Sequence, residues 1–193
     1  MKYELELTKI IKSDQLLMSI LKAVQTLQLN DCWVAAGVIR NKVWDYLHNV
    51  QTEINDIDVI YFDEYDSSIE AEKALESKLQ EIMPNQPWSV KNQARMHKIN
   101  RIPPYASSIE GVAHFPETPT AIAVRLNNNK IEILAPYGLN DLFEGLVRPT
   151  PPFNENSKLY TIYSNRIQNK NWGSIWTKLI VESKRSQNDV WNT

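Results

Sequence analysis

Two aspartates, Asp56 and Asp58, stand one residue apart in the apolar run NDIDVIYF. In a strand, side chains alternate between faces, so both carboxylates point to one side while Ile57 and Val59 point into the core. Like charges this close raise each other's pKa, and such a pair usually holds either a cation or a basic side chain. We therefore expect a divalent metal here, with a solvated strand end as the alternative.

A glycine turn precedes the two aspartates. The apolar run Cys32–Ala36 is typical of a strand, Gly37 closes it, and a helical pattern follows with Ile39, Val43 and Leu47. A strand-to-helix turn presents backbone N–H groups at the positive end of a helix, where phosphate binds readily, although it can also be a plain connection. Arg40, one turn into the helix, is placed to reach a phosphate or to pair with Asp56.

A third carboxylate lies in a predicted β-hairpin. Two β-prone runs, Thr120–Leu126 and Lys130–Leu134, are joined by three asparagines that favour a turn. In the second run Glu132 faces away from the core. It could join the aspartates as the third acidic ligand of a site for phosphoryl transfer, or it could be an exposed residue paired with Lys130 or Arg125.

Basic side chains gather in the middle of the chain. Arg95, His97 and Lys98 fall in one short segment, and Arg125 lies in the hairpin. They would suit a substrate-binding wall for phosphate or for an acidic acceptor, because guanidinium groups bind phosphate in a bidentate manner; a solvated loop surface is the alternative. With Cys32 as the single cysteine and no paired histidines, a zinc site is not expected.

The elements that must position these residues indicate an α+β fold, a mixed β-sheet with helices packed on it. Periodicity predicts helices over Ser13–Leu29 and Ser67–Met83, a strand over Trp88–Lys91 and a short helix after it. Two further helices are predicted, over Lys158–Gln168 and Trp172–Ser183. We expect one domain over residues 1–150, with residues 151–193 as a helical C-terminal extension packed on it.

Composition narrows the possible partners. The 193 residues include 42% hydrophobic residues, enough to bury a core, and the formal net charge of -2 gives no overall attraction to nucleic acid or acidic membranes. The sequence contains neither an apolar run of membrane-spanning length nor a signal-peptide pattern at its start. We expect a cytoplasmic protein with no membrane partner, and the oligomeric state stays open.

The motifs together carry a resemblance. AGVIRN followed by DIDV resembles the glycine turn and Asp-x-Asp core of the nucleotidyltransferase superfamily, in particular the head domain of tRNA CCA-adding and poly(A) polymerases. More specifically, WVAAGVIRNKVWD, NDIDVIYFD, VKNQARMH and IEILAPYGLNDLF are similar to a small bacterial nucleotidyltransferase-like family. The likeness runs from Trp33 into the tryptophan-containing tail.

This resemblance implies the nucleotidyltransferase fold and its chemistry. It implies an enzyme that moves a nucleoside monophosphate from a nucleoside triphosphate to a hydroxyl acceptor and releases pyrophosphate. Mg²⁺ or Mn²⁺ would be held by the catalytic residues Asp56, Asp58 and Glu132. The nucleotide would bind at the turn, through Gly37, Val38, Arg40 and Asn41. The acceptor (RNA, a protein or a small molecule) and the preferred base are not specified.

The chain departs from the polymerase pattern at two positions. Ala36 stands where the first glycine is expected, and Asn41 stands where an aspartate is expected. These departures motivate an alternative, a non-catalytic nucleotide-binding or regulatory module that retains the fold. In a purely structural protein, by contrast, arginine or lysine would neutralise Asp56 and Asp58.

Overall fold

The computed structural model describes residues 3–100 and 102–183. Within these ranges lie eight α-helices, α1 to α8: Glu4–Ser13, Gln15–Gln25, Gly37–His48, Ile69–Ile82, Gln93–Asn100, Ser108–Ala113, Asn140–Glu144 and Tyr160–Lys170. Seven strands, β1 to β7, cover Cys32–Ala35, Ile57–Tyr61, Trp88–Asn92, Ala123–Asn127, Lys130–Leu134, Leu146–Val147 and Ile180–Val181. Two short 3-10 turns span Pro151–Phe153 and Trp172–Ser174.

The central feature is a five-stranded sheet with the order β3-β2-β1-β4-β5. Strands β2 and β3 are parallel, and the other neighbouring pairs are antiparallel. The remaining two strands, β6 and β7, form a small parallel pair. The α+β class with a mixed sheet, predicted from the sequence, is therefore confirmed.

The two faces of strand β2 differ in chemistry. Ile57 and Val59 are fully buried in the main core, which is built largely by α1, α2 and α3 against one face of the sheet. Asp58 lies on the other face beside Ala35, its partner in β1. That second face carries small residues, including Ala35 and Ala123, so helix α6 and neighbouring loops pack close to it.

Local signals explain where helix α2 begins. The Asp14 side chain caps this helix by accepting a hydrogen bond from the Leu17 N–H at 2.8 Å. The helix ends at Gln25, earlier than predicted, and Gln28 beyond it has a positive φ of 55°. Helix α1 was not predicted.

The C-terminal segment differs from its prediction. Helix α8 forms close to the predicted place, but the helix expected over Trp172–Ser183 is wrong. Its first residues form a 3-10 turn, and Ile180–Val181 pairs instead with Leu146–Val147. Trp172 and Trp176 join the main core, where both rings meet Trp44 edge-on.

Candidate active site

A cavity of about 300 Å³ lies at one end of the central sheet. The turn between β1 and α3, the start of β2, helix α8 and the segment after it all contribute to its wall. The lining residues with chemical groups of interest are Gly37, Val38, Arg40, Asn41, Lys42, Asp45, Glu53, Asp56, Asp58, Thr120, Arg166, Lys170, Trp172 and Trp176. The cavity is therefore lined by both aspartates and by all the turn residues that were predicted to bind nucleotide.

Asp56 and Asp58 reach this cavity from the beginning of β2. Asp56 directly precedes the strand and Asp58 is its second residue, so the strand alternation places both on one side. Burial, reinforced by the charge of Asp56, raises the pKa of Asp58 to about 6, while Arg166, Lys91 and Arg40 oppose the shift. Burial also raises the pKa of Asp56, against the attraction of Lys170 and Lys91. The pair thus forms a concentrated negative site.

The turn before helix α3 is held in an unusual backbone conformation. Ala36 has φ 57° and ψ -122°, a region that favours glycine, and its N–H donates to the Ile122 carbonyl at 2.9 Å. Its own carbonyl accepts from the N–H groups of Ile39 and Arg40. Strain of this kind persists only where the surrounding structure imposes it.

The N-terminus of α3 opens into the cavity beside the aspartates. No side chain caps this end, and Gly37 and Val38, its first two residues, line the cavity. Their N–H groups lie in the first turn, where helical N–H groups have no partner within the helix. A methyl group added at Gly37 would approach only Arg40 Nη2, at 3.7 Å. The fold itself therefore tolerates alanine at this position, unlike the strained position 36.

Arg40 is a buried cation that helps build the cavity wall. Its Nη1 donates to Thr120 Oγ1 at 2.7 Å, and its Nη2 donates to Asn41 Oδ1 at 2.8 Å. The guanidinium carbon lies 4.9 Å from the ring centre of Trp44 and 4.3 Å from that of Trp172. Burial lowers the pKa of Arg40 to about 10. No ion pair joins Arg40 to Asp56 among the described residues.

Two cations of helix α8, not considered in the sequence analysis, face the aspartates. Arg166 and Lys170 stand four residues apart, so they lie on one face of the helix, and both line the cavity. Arg166 Nε donates to Glu117 Oε1 at 2.7 Å, and Glu117 is fully buried. The four-residue spacing is visible in the sequence, but the packing of α8 against the start of β2 is a long-range relationship that the spacing does not reveal.

The structure does not bring Glu132 to the two aspartates. Glu132 lies on β5, separated from β2 by two intervening strands, or roughly 14 Å across the sheet. Its carboxylate accepts from Arg125 Nε at 2.6 Å and from Asn127 Nδ2 at 2.7 Å. Of the two roles considered for Glu132, the ion pair with Arg125 is the one found, which corrects the expected set of three carboxylates.

The basic residues that were predicted to form one wall do not lie together at the cavity. Arg125 binds Glu132 and stacks on Trp33, with its guanidinium carbon 4.2 Å from the ring centre. Arg95 forms two hydrogen bonds with the buried Glu72, at 2.7 and 2.6 Å. Neither these arginines nor His97 lines the cavity. Arg95 and Arg125 therefore stabilise other parts of the fold.

The segment after α8 contributes to the cavity wall. Trp176 Nε1 donates to Asp45 Oδ1 at 2.9 Å, and the other oxygen of Asp45 accepts from the N–H and hydroxyl of Thr52. The backbone N–H of Lys178 donates to His48 Nε2 at 3.1 Å. These contacts fasten the C-terminal segment to helix α3. Trp172 and Trp176 therefore belong both to the main core and to the cavity wall.

Carboxylates are the candidate metal ligands in the cavity. Across residues 3–100 and 102–183, no group of three or more His, Cys, Asp or Glu side chains is arranged to hold a metal ion. Glu53 also lines the cavity, but it does not complete such a group.

Within residues 3–100 and 102–183, no helix is long and apolar enough to cross a membrane.

Comparison with known proteins agrees with the fold. An NMR structure described as revealing a CCA-adding enzyme head domain shares 37% identity and a TM-score of 0.82, covering 95% of this chain and 98% of its own. Structures of a CCA-adding enzyme with ATP and with CTP share 13% and 15% identity, each with a TM-score of 0.58. The match covers 92% of this chain but only 43% of each of those longer chains.

The sequence comparisons are more specific about the family. Among curated proteins no relative matches the chain. The family described as Nucleotidyltransferase matches residues 22–181, a range that contains the turn, both aspartates and helix α8. Because this match covers most of the sequence, the chain belongs to the nucleotidyltransferase family.

Proposed function

We propose that the protein transfers a nucleoside monophosphate from a nucleoside triphosphate to a hydroxyl acceptor. The observation that carries this proposal is the shared cavity, in which Asp56 and Asp58 face the uncapped N-terminus of α3. The acceptor oxygen forms a bond to the α-phosphorus, the bond from that phosphorus to the β-phosphate oxygen breaks, and pyrophosphate leaves. The proton of the acceptor hydroxyl passes to a carboxylate oxygen of Asp58.

The triphosphate would bind between the turn and helix α8. The N–H groups of Gly37 and Val38 would donate to phosphate oxygens, favoured by the positive end of the helix dipole. Arg166 and Lys170 would offset part of the phosphate charge from the opposite wall. Family membership and the ATP and CTP complexes of the related fold support a nucleoside triphosphate as the ligand.

Asp56 and Asp58 fit a divalent ion, which we propose to be Mg²⁺ or Mn²⁺. The raised pKa of Asp58 arises partly from repulsion by Asp56, and a bound cation would relieve that repulsion. When bound, the ion supplies charge neutralisation at the phosphates. The Arg40 guanidinium donates to Thr120 and Asn41, so its proposed role is to support the turn and not to bind a phosphate directly.

A non-catalytic nucleotide-binding module remains the second candidate function. Two observations favour it: no group of three acidic ligands forms among the described residues, and Asn41, in place of an aspartate, is engaged by Arg40. Such a module would bind a nucleoside triphosphate without consuming it. The acceptor, whether RNA, a protein or a small molecule, would then be absent.

Calorimetry with ATP, CTP, GTP and UTP, each with and without Mg²⁺, tests both candidates. We expect Mg²⁺-dependent binding to the wild type and a loss of at least tenfold in the Asp56→Asn/Asp58→Asn variant. Glu132→Gln is the matched control, because it removes a carboxylate from the same sheet outside the cavity, and it should bind like the wild type. Equal binding by all three proteins would disprove the proposed site.

Turnover separates the enzyme from the module. The protein is incubated with each labelled triphosphate, Mg²⁺ and cell extract, and pyrophosphate and labelled products are measured. The enzyme should release pyrophosphate and label an acceptor, and the double aspartate variant should do neither. Bound but unconsumed nucleotide would instead support the regulatory module.

A further inference from the structure

A second cavity, of about 200 Å³, shares Arg166 with the first. Arg166 lines both cavities, so its side chain forms part of a common wall. The second cavity is lined mainly by rings and apolar groups, among them Met96, Tyr105, His114, Phe115 and Phe153. Its chemistry thus differs from that of the charged first cavity.

Arg166, which lines both cavities, is held in position by one buried carboxylate. Glu117 is fully buried and accepts from Arg166 Nε at 2.7 Å and from Arg166 Nη2 at 3.4 Å. Arg166 itself retains 36% exposure of its side chain, so part of the guanidinium remains accessible. A ligand in the second cavity would therefore touch a cation that also faces Asp58.

One polar group stands out among the rings. Gln93 is only 3% exposed and lines the cavity, and its Nε2 donates a long hydrogen bond to the Lys91 carbonyl, at 3.4 Å. A carboxamide offers a donor and an acceptor side by side, which pair with the edge of a planar heterocycle. Gln93 and Met96 both come from the VKNQARMH motif, to which the proposed function assigns no role.

The size of the cavity limits its occupant. Pockets that enclose a whole ligand usually measure roughly 300 to 1,000 Å³, so a cavity of about 200 Å³ suits one ring system of a larger molecule. Aromatic walls hold such rings by stacking, as they hold bases in nucleic-acid complexes. The ring pair Tyr105 and His114, with centres 4.9 Å apart, belongs to this wall.

We propose that the second cavity is the acceptor subsite and receives a planar ring whose edge carries both a hydrogen-bond donor and an acceptor. This inference rests on the proposed function, since only a transferase needs an acceptor. In-line transfer requires the acceptor to approach from the side opposite the leaving pyrophosphate. The first cavity holds the triphosphate at Gly37, and the second lies beyond Arg166. The ring would bind there while the hydroxyl attached to it extends past Arg166 towards Asp58.

Residue-resolved NMR titration of the full chain can test this subsite. Gly111 lines the second cavity and Gly37 lines the first, and the amide signals of glycines lie in a distinct spectral region. The probes are adenosine and cytidine as ring-bearing alcohols, N-acetyltyrosinamide as a phenol, and sorbitol as an alcohol without a ring. With the first cavity filled by Mg²⁺ and a non-hydrolysable ATP analogue, the nucleosides should shift Gly111, whereas sorbitol should not.

A cavity-filling variant supplies the second test. Ile162 lines the second cavity and is 40% exposed, so Ile162→Trp should fill the space without disturbing the core. Ile69→Trp is the matched control, since Ile69 is also an exposed helical residue and lines neither cavity. Nucleoside affinity at Gly111 should fall at least tenfold in Ile162→Trp and stay unchanged in Ile69→Trp.

The outcomes separate this inference from the proposed function. If the ATP analogue does not shift Gly37, the proposed function fails and the acceptor role fails with it. If the analogue binds but nucleosides leave Gly111 unshifted, or bind Ile162→Trp as they bind the wild type, only the acceptor subsite is overturned. Equal binding of sorbitol would overturn the ring specificity, and stronger binding of the phenol would overturn the heterocycle in favour of a phenolic acceptor.

Discussion

Arg166 on helix α8 is tied to Glu117, 49 residues earlier in the chain, by a hydrogen bond of 2.7 Å. Glu117 is fully buried, whereas the Arg166 side chain is partly exposed at the junction of two cavities. The pair therefore connects the C-terminal segment to the loop that precedes β4. The pair also holds the Arg166 cation near Asp58. The charge of Arg166 opposes the rise that burial causes in the pKa of Asp58.

Removing Arg166 should reduce stability as well as nucleotide binding. Arg166→Met would leave the carboxylate of Glu117 buried without this partner, and an unsatisfied buried group of this kind costs about 2 kcal/mol. We expect a loss of about that size in the free energy of unfolding, measured by urea denaturation. Mg²⁺–ATP affinity should fall as well, by about tenfold.

The double variant Arg166→Met/Glu117→Gln serves as the control for the buried charge. It should recover part of the stability lost in Arg166→Met, because no uncompensated carboxylate remains, but it should recover none of the nucleotide affinity. Recovery of both quantities would mean that Arg166 acts only on the fold.

Ala36→Gly should stabilise the protein. Ala36 occupies a backbone region that favours glycine, with φ 57° and ψ -122°, and such strain costs about 1 to 3 kcal/mol. Glycine loses about 0.4 to 1 kcal/mol through the entropy of the unfolded chain. The expected net gain is about 1 kcal/mol, measured as an increase in the free energy of unfolding by urea.

The neighbouring Ala35→Gly substitution has the opposite expected sign. Ala35 is fully buried within strand β1 and is not among the described residues with a positive φ, so glycine there relieves no strain. It should destabilise the protein by roughly 1 kcal/mol, because glycine weakens a strand interior. Two destabilising results would show that position 36 is not strained.

The local parts of the fold were predictable because they depend on neighbouring residues. The alternation around Ile57 and Asp58 identified β2 and its two faces, and the glycine turn identified the start of α3. Glu132 was misplaced because alternation gives the face of a strand but not its position in the sheet. Arg166 was missed because its approach to Asp58 depends on the packing of distant segments. The strand Ile180–Val181 has only two residues, which is too short to show an alternating pattern in the sequence.

Stability should depend on pH through Asp58. Its pKa is about 6 in the folded protein and about 3.8 in the unfolded chain, so the folded state binds the proton more tightly. Stability contributed by the protonated group is therefore present at low pH and is lost as the pH rises from about 4 to 6. Asp58→Asn should remove this loss, which we expect to be about 3 kcal/mol.

The measurement is urea unfolding of wild type and Asp58→Asn at several pH values in the presence of a chelator. The difference between the two proteins is the relevant quantity, because Asp14 and Glu76 have lowered pKa values and contribute slopes of the opposite sign. Mg²⁺ should stabilise the wild type most near neutral pH, where both aspartates are charged. A pH-independent difference between the proteins would contradict the raised pKa.

Gly37→Ala should separate ligand binding from folding. An added methyl group would meet only Arg40 Nη2, at 3.7 Å, and alanine favours a helix over glycine, so stability should hold or rise by up to about 1 kcal/mol. The same methyl group would stand at the first turn of α3, where the proposed phosphates approach the backbone. Mg²⁺–ATP affinity should fall at least tenfold by calorimetry.

Gly173→Ala is the matched control for Gly37→Ala. Its added methyl group meets nothing within 4 Å and lies outside the first cavity, so affinity should be unchanged. If Gly37→Ala binds nucleotide normally, the phosphates do not contact this turn.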